Sequence, residues 1–429
     1  MTDRLKREEI LPSVFFNSFT DGLYKSNRIS INLFMPLSRD KAAKHALLTG
    51  VLAKSSKKYP SLQSLNKKLY DLYGAGLVSD VSKIGESQSV TLHLLSVANR
   101  FALEGENVLS ASADFLCETL LEPNISGGAF IPEEVEIERA RLIDLIESQI
   151  NDKRSYAIHR CSELLCEGEN YAIPRCGYTE DAEKISPEEL YQTYRELLAG
   201  SRIEIFHVGS DDSSDVKALF KSRLSVLERR PDRSIVTMSA APRVCRPPKN
   251  ISENMDVTQA KLVLGFAAEE SKSARDSVAM LMAMMIYGIL PSSKLFRNVR
   301  EKLGLCYYCT ARYDRYKSVV FVDSGIEAAN RERAAREIIA QLEEIKNGEF
   351  ADKDIREARL ALRSSYRGVF DEARLVESYY MGNIMSGFDK EPEEMAAFAD
   401  EIGREEIINA CRGMKLGAVY CLEGRGVSA

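Results

Sequence analysis

The chain has 429 residues, 45% of them hydrophobic and 28% charged, with a formal net charge of −6. That length exceeds one core of ordinary size and implies two or three globular domains. The acidic balance, with no basic block, argues against nucleic acid or an anionic membrane as partner. The opening stretch MTDRLKREEILPSV lacks the apolar core of a signal peptide. The longest apolar run, Val278 to Leu290, is about 13 residues, short of a bilayer span. Nine cysteines without regular spacing fit reduced thiols in a cytoplasmic protein better than a disulfide frame.

In chain order, Arg28 to Met35 alternates as a strand, and the loop PLSRDKAA leads into a helix over Lys41 to Ala53. A second helix, Leu62 to Leu72, ends near Gly74 and Gly76. Strands at Leu77 to Lys83 and Ser89 to Leu95 are joined by a turn at Gly85 to Ser87. The pattern predicts a helix over Leu103 to Leu121, then one long helix from Pro132 through Cys166. Helix Pro187 to Leu198 and strand Ile203 to Val208 close the first half.

The second half repeats this order. Strand Lys261 to Phe266, an apolar helix at Val278, and a helix around Leu295 come first, followed by strands Tyr307 to Tyr313 and Ser318 to Asp323. Helix Arg331 to Lys346, a long helix from Lys353 and strand Ala418 to Leu422 complete it. Matching elements recur at an offset of roughly 215 to 233 positions, which marks a tandem duplication of whole-domain size. Local strings agree as well: Glu138-Arg-Ala-Arg-Leu142 against Arg356-Glu-Ala-Arg-Leu360. The proline-rich, basic stretch between the halves reads as an extended connector. The expected division is an N-terminal domain over 1–227, a linker over 228–253 and a C-terminal domain over 254–429. Hairpins mixed with runs of helix predict α+β domains, each a mainly antiparallel sheet with helices packed mainly on one face.

The most informative stretch is Pro291 to Tyr308, PSSKLFRNVREKLGLCYY. Leu295, Phe296, Val299 and Leu303 recur at helical spacing, and Gly304 stops the helix before a strand. Arg300 and Tyr307 are thus carried by two elements flanking one tight turn, where guanidinium and phenol can meet one carbonyl oxygen. On pattern alone, a solvated helix charge and a core aromatic are the better account of them. Cys306-Tyr-Tyr-Cys309 is formally a C-x-x-C, but it lies in a strand rather than at a helix N-terminus and reads as coincidence.

The string Arg300-Glu-Lys-Leu-Gly-Leu-Cys-Tyr307, preceded by Ser292-Ser-Lys-Leu-Phe296, resembles the C-terminal domain of the insulinase/pitrilysin zinc peptidases. Mitochondrial processing peptidase is a member of that family, and the duplication extends the likeness over nearly the whole chain. The resemblance implies the processing-peptidase type of fold, and it assigns Arg300 and Tyr307 to binding the substrate backbone beside the scissile bond.

Active members carry H-x-x-E-H, in which two imidazoles on one helical face bind zinc and the Glu activates a metal-bound water. The corresponding segment is His45-Ala-Leu-Leu48-Thr49, so Leu48 stands at the Glu position and Thr49 at the second His. Glu147 falls where the family's third ligand would be, although a solvated helix carboxylate is the simpler reading. The remaining histidines are His93, His159 and His207, and none has a second His at ligand spacing. His159 and Cys161 lie about 200° apart around a helix, so these two and Cys166 do not share one metal. No zinc is expected in this chain, and no catalytic residue is assigned.

The resemblance therefore implies a catalytically inactive subunit that offers peptide-binding groups to a homologous partner. That partner carries H-x-x-E-H and the zinc. The alternatives are a stand-alone peptide-binding or scaffold protein, homodimeric or monomeric, and an enzyme with a zinc site of another kind.

Overall fold

The computed structural model describes residues 4–232, 241–244 and 247–424. Part of the predicted linker, 233–240 and 245–246, lies outside the described residues. The chain divides into two compact units, each discontinuous in sequence. The first takes in the chain up to Glu147, the stretch from Ile173 to the connector, and Phe370–Gly382. The second takes in Ser148–Ala172, the stretch from the connector to Val369, and the chain from Asn383.

The sheet of the first unit is built from β1 (Lys6–Leu11), β2 (Val14–Thr20), β3 (Ser26–Pro36), β4 (Gly76–Ile84) and β5 (Ser87–Val97). A short hairpin, β6 (Ile125–Ser126) and β7 (Ala129–Phe130), stands apart, and β8 (Arg202–Gly209) joins the main sheet. The order is β1-β2-β8-β3-β5-β4, antiparallel except for the parallel pair β2 and β8. Alternation along β3 puts Ile29, Ile31 and Leu33 into the core. There they pack with Ala46, Leu47 and Leu48 of helix Arg39–Leu52 and with Leu116 and Leu120 of helix Val108–Leu121.

The second unit holds β9 (Lys249–Met255), β10 (Ala260–Ala267), β11 (Cys306–Asp314), β12 (Val319–Ile326) and β13 (Lys415–Gly424). Its order, β11-β12-β10-β13-β9, repeats β4-β5-β3-β8-β2 of the first sheet, including the single parallel pair, β9 with β13. Each unit is an α+β fold, and the shared order is the structural form of the duplication. Strand β9 occupies the far end of the predicted linker.

Two sequence expectations change. The predicted helix over Leu103 to Leu121 starts only at Val108, because Asn107 caps it by accepting from the Ser110 N–H. The predicted long helix from Pro132 to Cys166 is broken. It runs over Pro132–Ser148, passes through a 3₁₀ turn at Gln149–Asn151, and restarts as Lys153–Leu165. Asp152 caps the restart, its carboxylate accepting from the N–H groups of Arg154 and Ser155 at 3.1 Å.

The break has an architectural purpose. Helix Lys153–Leu165 comes from the first half of the sequence but packs on the second unit's sheet, on the face opposite the Leu262 and Leu264 side chains. Cys161 and Leu165 approach Gly265 so closely that a Cβ there would lie 3.1 Å from Cys161 Sγ. Reciprocally, Phe370–Gly382 from the second half belongs to the first unit. Its Glu377 carboxylate accepts from Ser30 and Arg28, and from Asn32 at 3.3 Å, on the polar face of β3. The two exchanged helices, Lys153–Leu165 and Ala373–Ser386, start about 220 positions apart, at the repeat offset. Among the described residues, no helix is long and apolar enough to cross a membrane.

Candidate functional site

The predicted substrate motif lies wholly within the second unit. Residues Leu295–Lys302 form a wide, π-type turn rather than an ordinary α-helix, closed by a bond from the Leu303 N–H to the Asn298 carbonyl at 3.1 Å. Leu295 and Val299 are buried and fix one face of it. The polar residues next to them are committed to neighbouring helices. Lys294 pairs with Glu344, Arg297 donates to Asp354 at 3.1 Å, and Asn298 donates to Gln341 at 2.5 Å. Arg300 is not held in this way. Its side chain is 41% exposed, 3.4 Å from the exposed Glu301, and its guanidinium lies over the Phe296 ring at 4.6 Å.

Gly304 then takes φ +62°, a left-handed conformation that lets the chain reverse into β11 without strain. Two residues later the register of β11 against β12 shifts. Cys306 faces Ile326 and Tyr308 faces Gly325, so Tyr307 is the extra residue of a β-bulge. The bulge turns Tyr307 outward. It is 52% exposed, its hydroxyl 3.5 Å from Glu327, and not the core aromatic that its strand position alone would allow. Strand β11 is also the edge of its sheet. Arg300 and Tyr307 therefore flank one turn, both accessible, at the start of the sheet's edge strand.

The segment at the family's zinc position lies in the first unit and has different chemistry. His45 is 2% exposed, with Nδ1 at 2.8 Å from Gln88 Oε1. The Gln88 amide nitrogen donates to the carbonyls of Ala42 and Arg175, at 3.1 and 2.7 Å, so its oxygen can only accept and Nδ1 carries the proton. Burial lowers the imidazole pKa to about 4, so this ring is a neutral core residue at physiological pH. Leu48 is fully buried in the apolar core, and the Thr49 hydroxyl donates to the Ala46 carbonyl at 2.7 Å. One imidazole, a leucine and a threonine bound to its own helix do not fit zinc. Among the described residues, no group of three His, Cys, Asp or Glu side chains is placed to hold a metal.

Glu147 is solvent-exposed near the end of its helix. The buried carboxylate of that helix is instead Glu138, bonded to Lys54 at 2.8 Å and Arg141 at 2.7 Å. A Cβ on Gly50 would lie 2.7 Å from Glu138 Oε2, so this carboxylate sits against the helix that carries His45. The sequence pattern named Glu138 but did not single it out. Its signal is tertiary, a lysine just past the end of one helix opposite a carboxylate on another.

Comparison with known proteins agrees with the fold. Residues 184–362 match the family described as the peptidase M16 inactive domain. The chain is 28% identical over 401 residues to the "Probable inactive metalloprotease YmfF" of Bacillus subtilis strain 168, covering 94% of this chain and 93% of that protein. A conserved protein from Enterococcus faecalis V583 superposes with TM-score 0.91 at 26% identity, covering 100% of both chains. A peptidase M16 inactive domain from Pseudomonas fluorescens has the same fold, with TM-score 0.78 at 15% identity over 99% of this chain and 98% of that one. Over residues 184–362 the chain is thus similar to the M16 peptidase inactive domain, and His45, Leu48 and Thr49 stand where a zinc-binding H-x-x-E-H would be.

Proposed function

We propose that this chain is the noncatalytic subunit of an M16-type heterodimer, supplying substrate-holding groups to a homologous partner that carries H-x-x-E-H and zinc. The observation that carries this reading is the contrast within one turn. Lys294, Arg297 and Asn298 are spent on packing, while Arg300 and Tyr307 stay accessible beside the edge strand β11. The Arg300 guanidinium and Tyr307 hydroxyl would donate to the carbonyl of a peptide laid there. The name of the Bacillus subtilis relative, an inactive metalloprotease, supports the same division of labour. The free cysteines among the described residues support a cytoplasmic setting.

The test is to mix the chain with an H-x-x-E-H-bearing homologue from the same organism and to measure peptide cleavage. The pair is expected to cleave where this chain alone does not. Arg300→Ala and Tyr307→Phe in this chain are each expected to lower the pair's kcat/KM by about 10-fold or more. Cleavage by the pair that ignores both substitutions would remove them from the substrate clamp. Peptide binding by this chain alone, with no gain in cleavage on mixing, would establish the stand-alone binding protein instead.

A further inference from the structure

The residue after Tyr307 begins a row of side chains that holds more positive charge than it neutralises. Tyr308 pairs with Gly325 on β12, and Gly325 pairs with Lys261 on β10. A glycine is required between them, because a Cβ at 325 would lie 2.6 Å from the Tyr308 ring. The ring therefore lies across Gly325, with the Lys261 ammonium 5.6 Å and the Arg154 guanidinium 4.4 Å from its centre. Helix Lys153–Leu165 buries the neighbouring Val263 and Phe321 of this face. It leaves Lys261 half-buried and the side chains of Arg154 and Arg312 39% and 58% exposed.

These three cations have too few counter-charges. Arg154 and Arg312 share one carboxylate, the buried Asp323. Arg154 bonds to it through Nε, and Arg312 Nε lies 3.7 Å from its other oxygen. The terminal nitrogens of both guanidinium groups make no hydrogen bond among the described residues. Lys261 has no ion pair among the described residues. Asp152, the carboxylate that acts on it through space, is held at its helix cap by the Arg154 and Ser155 N–H groups. Burial and the neighbouring Arg154 lower the Lys261 pKa, as expected of a cation short of a counter-ion.

From this arrangement we propose that Lys261, Arg154 and Arg312 form a carboxylate-binding site over Tyr308, selecting peptides with an acidic side chain near the residue held at Arg300 and Tyr307. A carboxylate set there accepts charge-assisted hydrogen bonds from Lys261 Nζ and from the free ends of the two guanidinium groups. Asp323 already holds both arginines by their Nε side, so little side-chain freedom is lost when the ligand arrives. Lys261 lies two strand spacings from Tyr308, about 10 Å, which about three residues of extended peptide span. One peptide can therefore reach both places. The inference takes the peptide as ligand from the function proposed above, while the carboxylate site stands on its own residues.

The experiment measures binding to the full chain by fluorescence anisotropy, using two labelled octapeptides of alanine and serine with either Glu-Glu or Gln-Gln at the centre. The Glu-Glu peptide is expected to bind about tenfold or more tightly at low salt, and the preference to shrink at high salt. Lys261→Met keeps the aliphatic stem and is expected to reduce the preference to about threefold or less, and Lys261→Met with Arg312→Gln to abolish it. Lys261→Arg is expected to retain it, as is Lys272→Gln, which removes one charge past the far end of β10. Thermal melting checks that each variant is folded. Arg300→Ala and Tyr307→Phe are expected to weaken both peptides alike and leave their ratio unchanged. Equal binding of the two peptides, binding of neither, or a preference that survives the double variant overturns the carboxylate site. Displacement of the Glu-Glu peptide by micromolar inorganic phosphate overturns its assignment to a peptide. A preference lost in the double variant but indifferent to Arg300→Ala and Tyr307→Phe upholds the carboxylate site and removes the clamp instead.

Discussion

Restoring the family's zinc motif by the double substitution Leu48→Glu, Thr49→His should fail, and the structure says by how much. Leu48 is fully buried among Leu33, Leu47, Leu116 and their neighbours. Taking leucine out of such a site forfeits about 2–3 kcal/mol of apolar burial. A carboxyl group put in its place has no cation or donor prepared for it, so it stays protonated. Keeping a buried carboxyl protonated at pH 7, when it ionises near 4.3 in the unfolded chain, costs about 3–4 kcal/mol. The sum, on the order of 6 kcal/mol, is comparable with the whole stability of a typical domain, about 5–15 kcal/mol. Zinc could offset it only with a complete ligand set, and the buried carboxylate nearest this helix, Glu138, is already tied to Lys54 and Arg141. Thr49→His alone, at a half-buried position, should cost about 1 kcal/mol. Urea unfolding and metal analysis measure both outcomes. A double variant that unfolds at the wild-type midpoint and holds about one zinc per chain would refute the reasoning.

Two further predictions concern the buried polar groups. Glu377→Ala strips the carboxylate from Arg28, Ser30 and Asn32, all of them buried or nearly so, and should destabilise the first unit by about 3–5 kcal/mol. Glu377→Gln, which keeps part of the hydrogen bonding, should cost less, and a denaturant series on the three proteins reads the difference. His45 and His207 are both lowered by burial to about 4. Each imidazole is harder to protonate in the folded chain than in the unfolded one. The stability this represents is therefore full above pH 6.5 and lost as pH falls toward 4, on the order of 3 kcal/mol per group. Unfolding midpoints between pH 7 and 5 should fall with pH, and His45→Gln should flatten that slope.

The α+β class, the duplication and most element positions follow from local pattern, because period and turn chemistry are local properties. Helix Arg331–Lys346 is found where the sequence places it, and β3 extends its predicted strand by only a residue or two at each end. The missed elements have weak local signals. Strand β1 is almost entirely exposed and charged, and β9 is polar and alternates poorly. Helices Pro392–Glu401 and Arg404–Arg412 are short and rely on packing. The break at Gln149–Asn151 leaves little local signal, because an unbroken helix and a capped restart carry nearly the same periodicity.

By itself the sequence determined the loss of the zinc motif, since Leu48 and Thr49 are covalent facts that no fold can reverse. It also placed Arg300 and Tyr307 on either side of a glycine turn. Only the tertiary structure decided what these residues face. It put Leu48 in the core, gave His45 to Gln88, and used one unpaired residue in β11 to turn Tyr307 out and two cysteines in. It also sent a helix from each half of the chain to the unit built around the other half's sheet. The physical reason is common to all four. A bulge, a buried partner or a covered sheet face depends on residues far away in sequence, and one shifted register or one approaching helix changes the surroundings of a side chain without changing its local pattern.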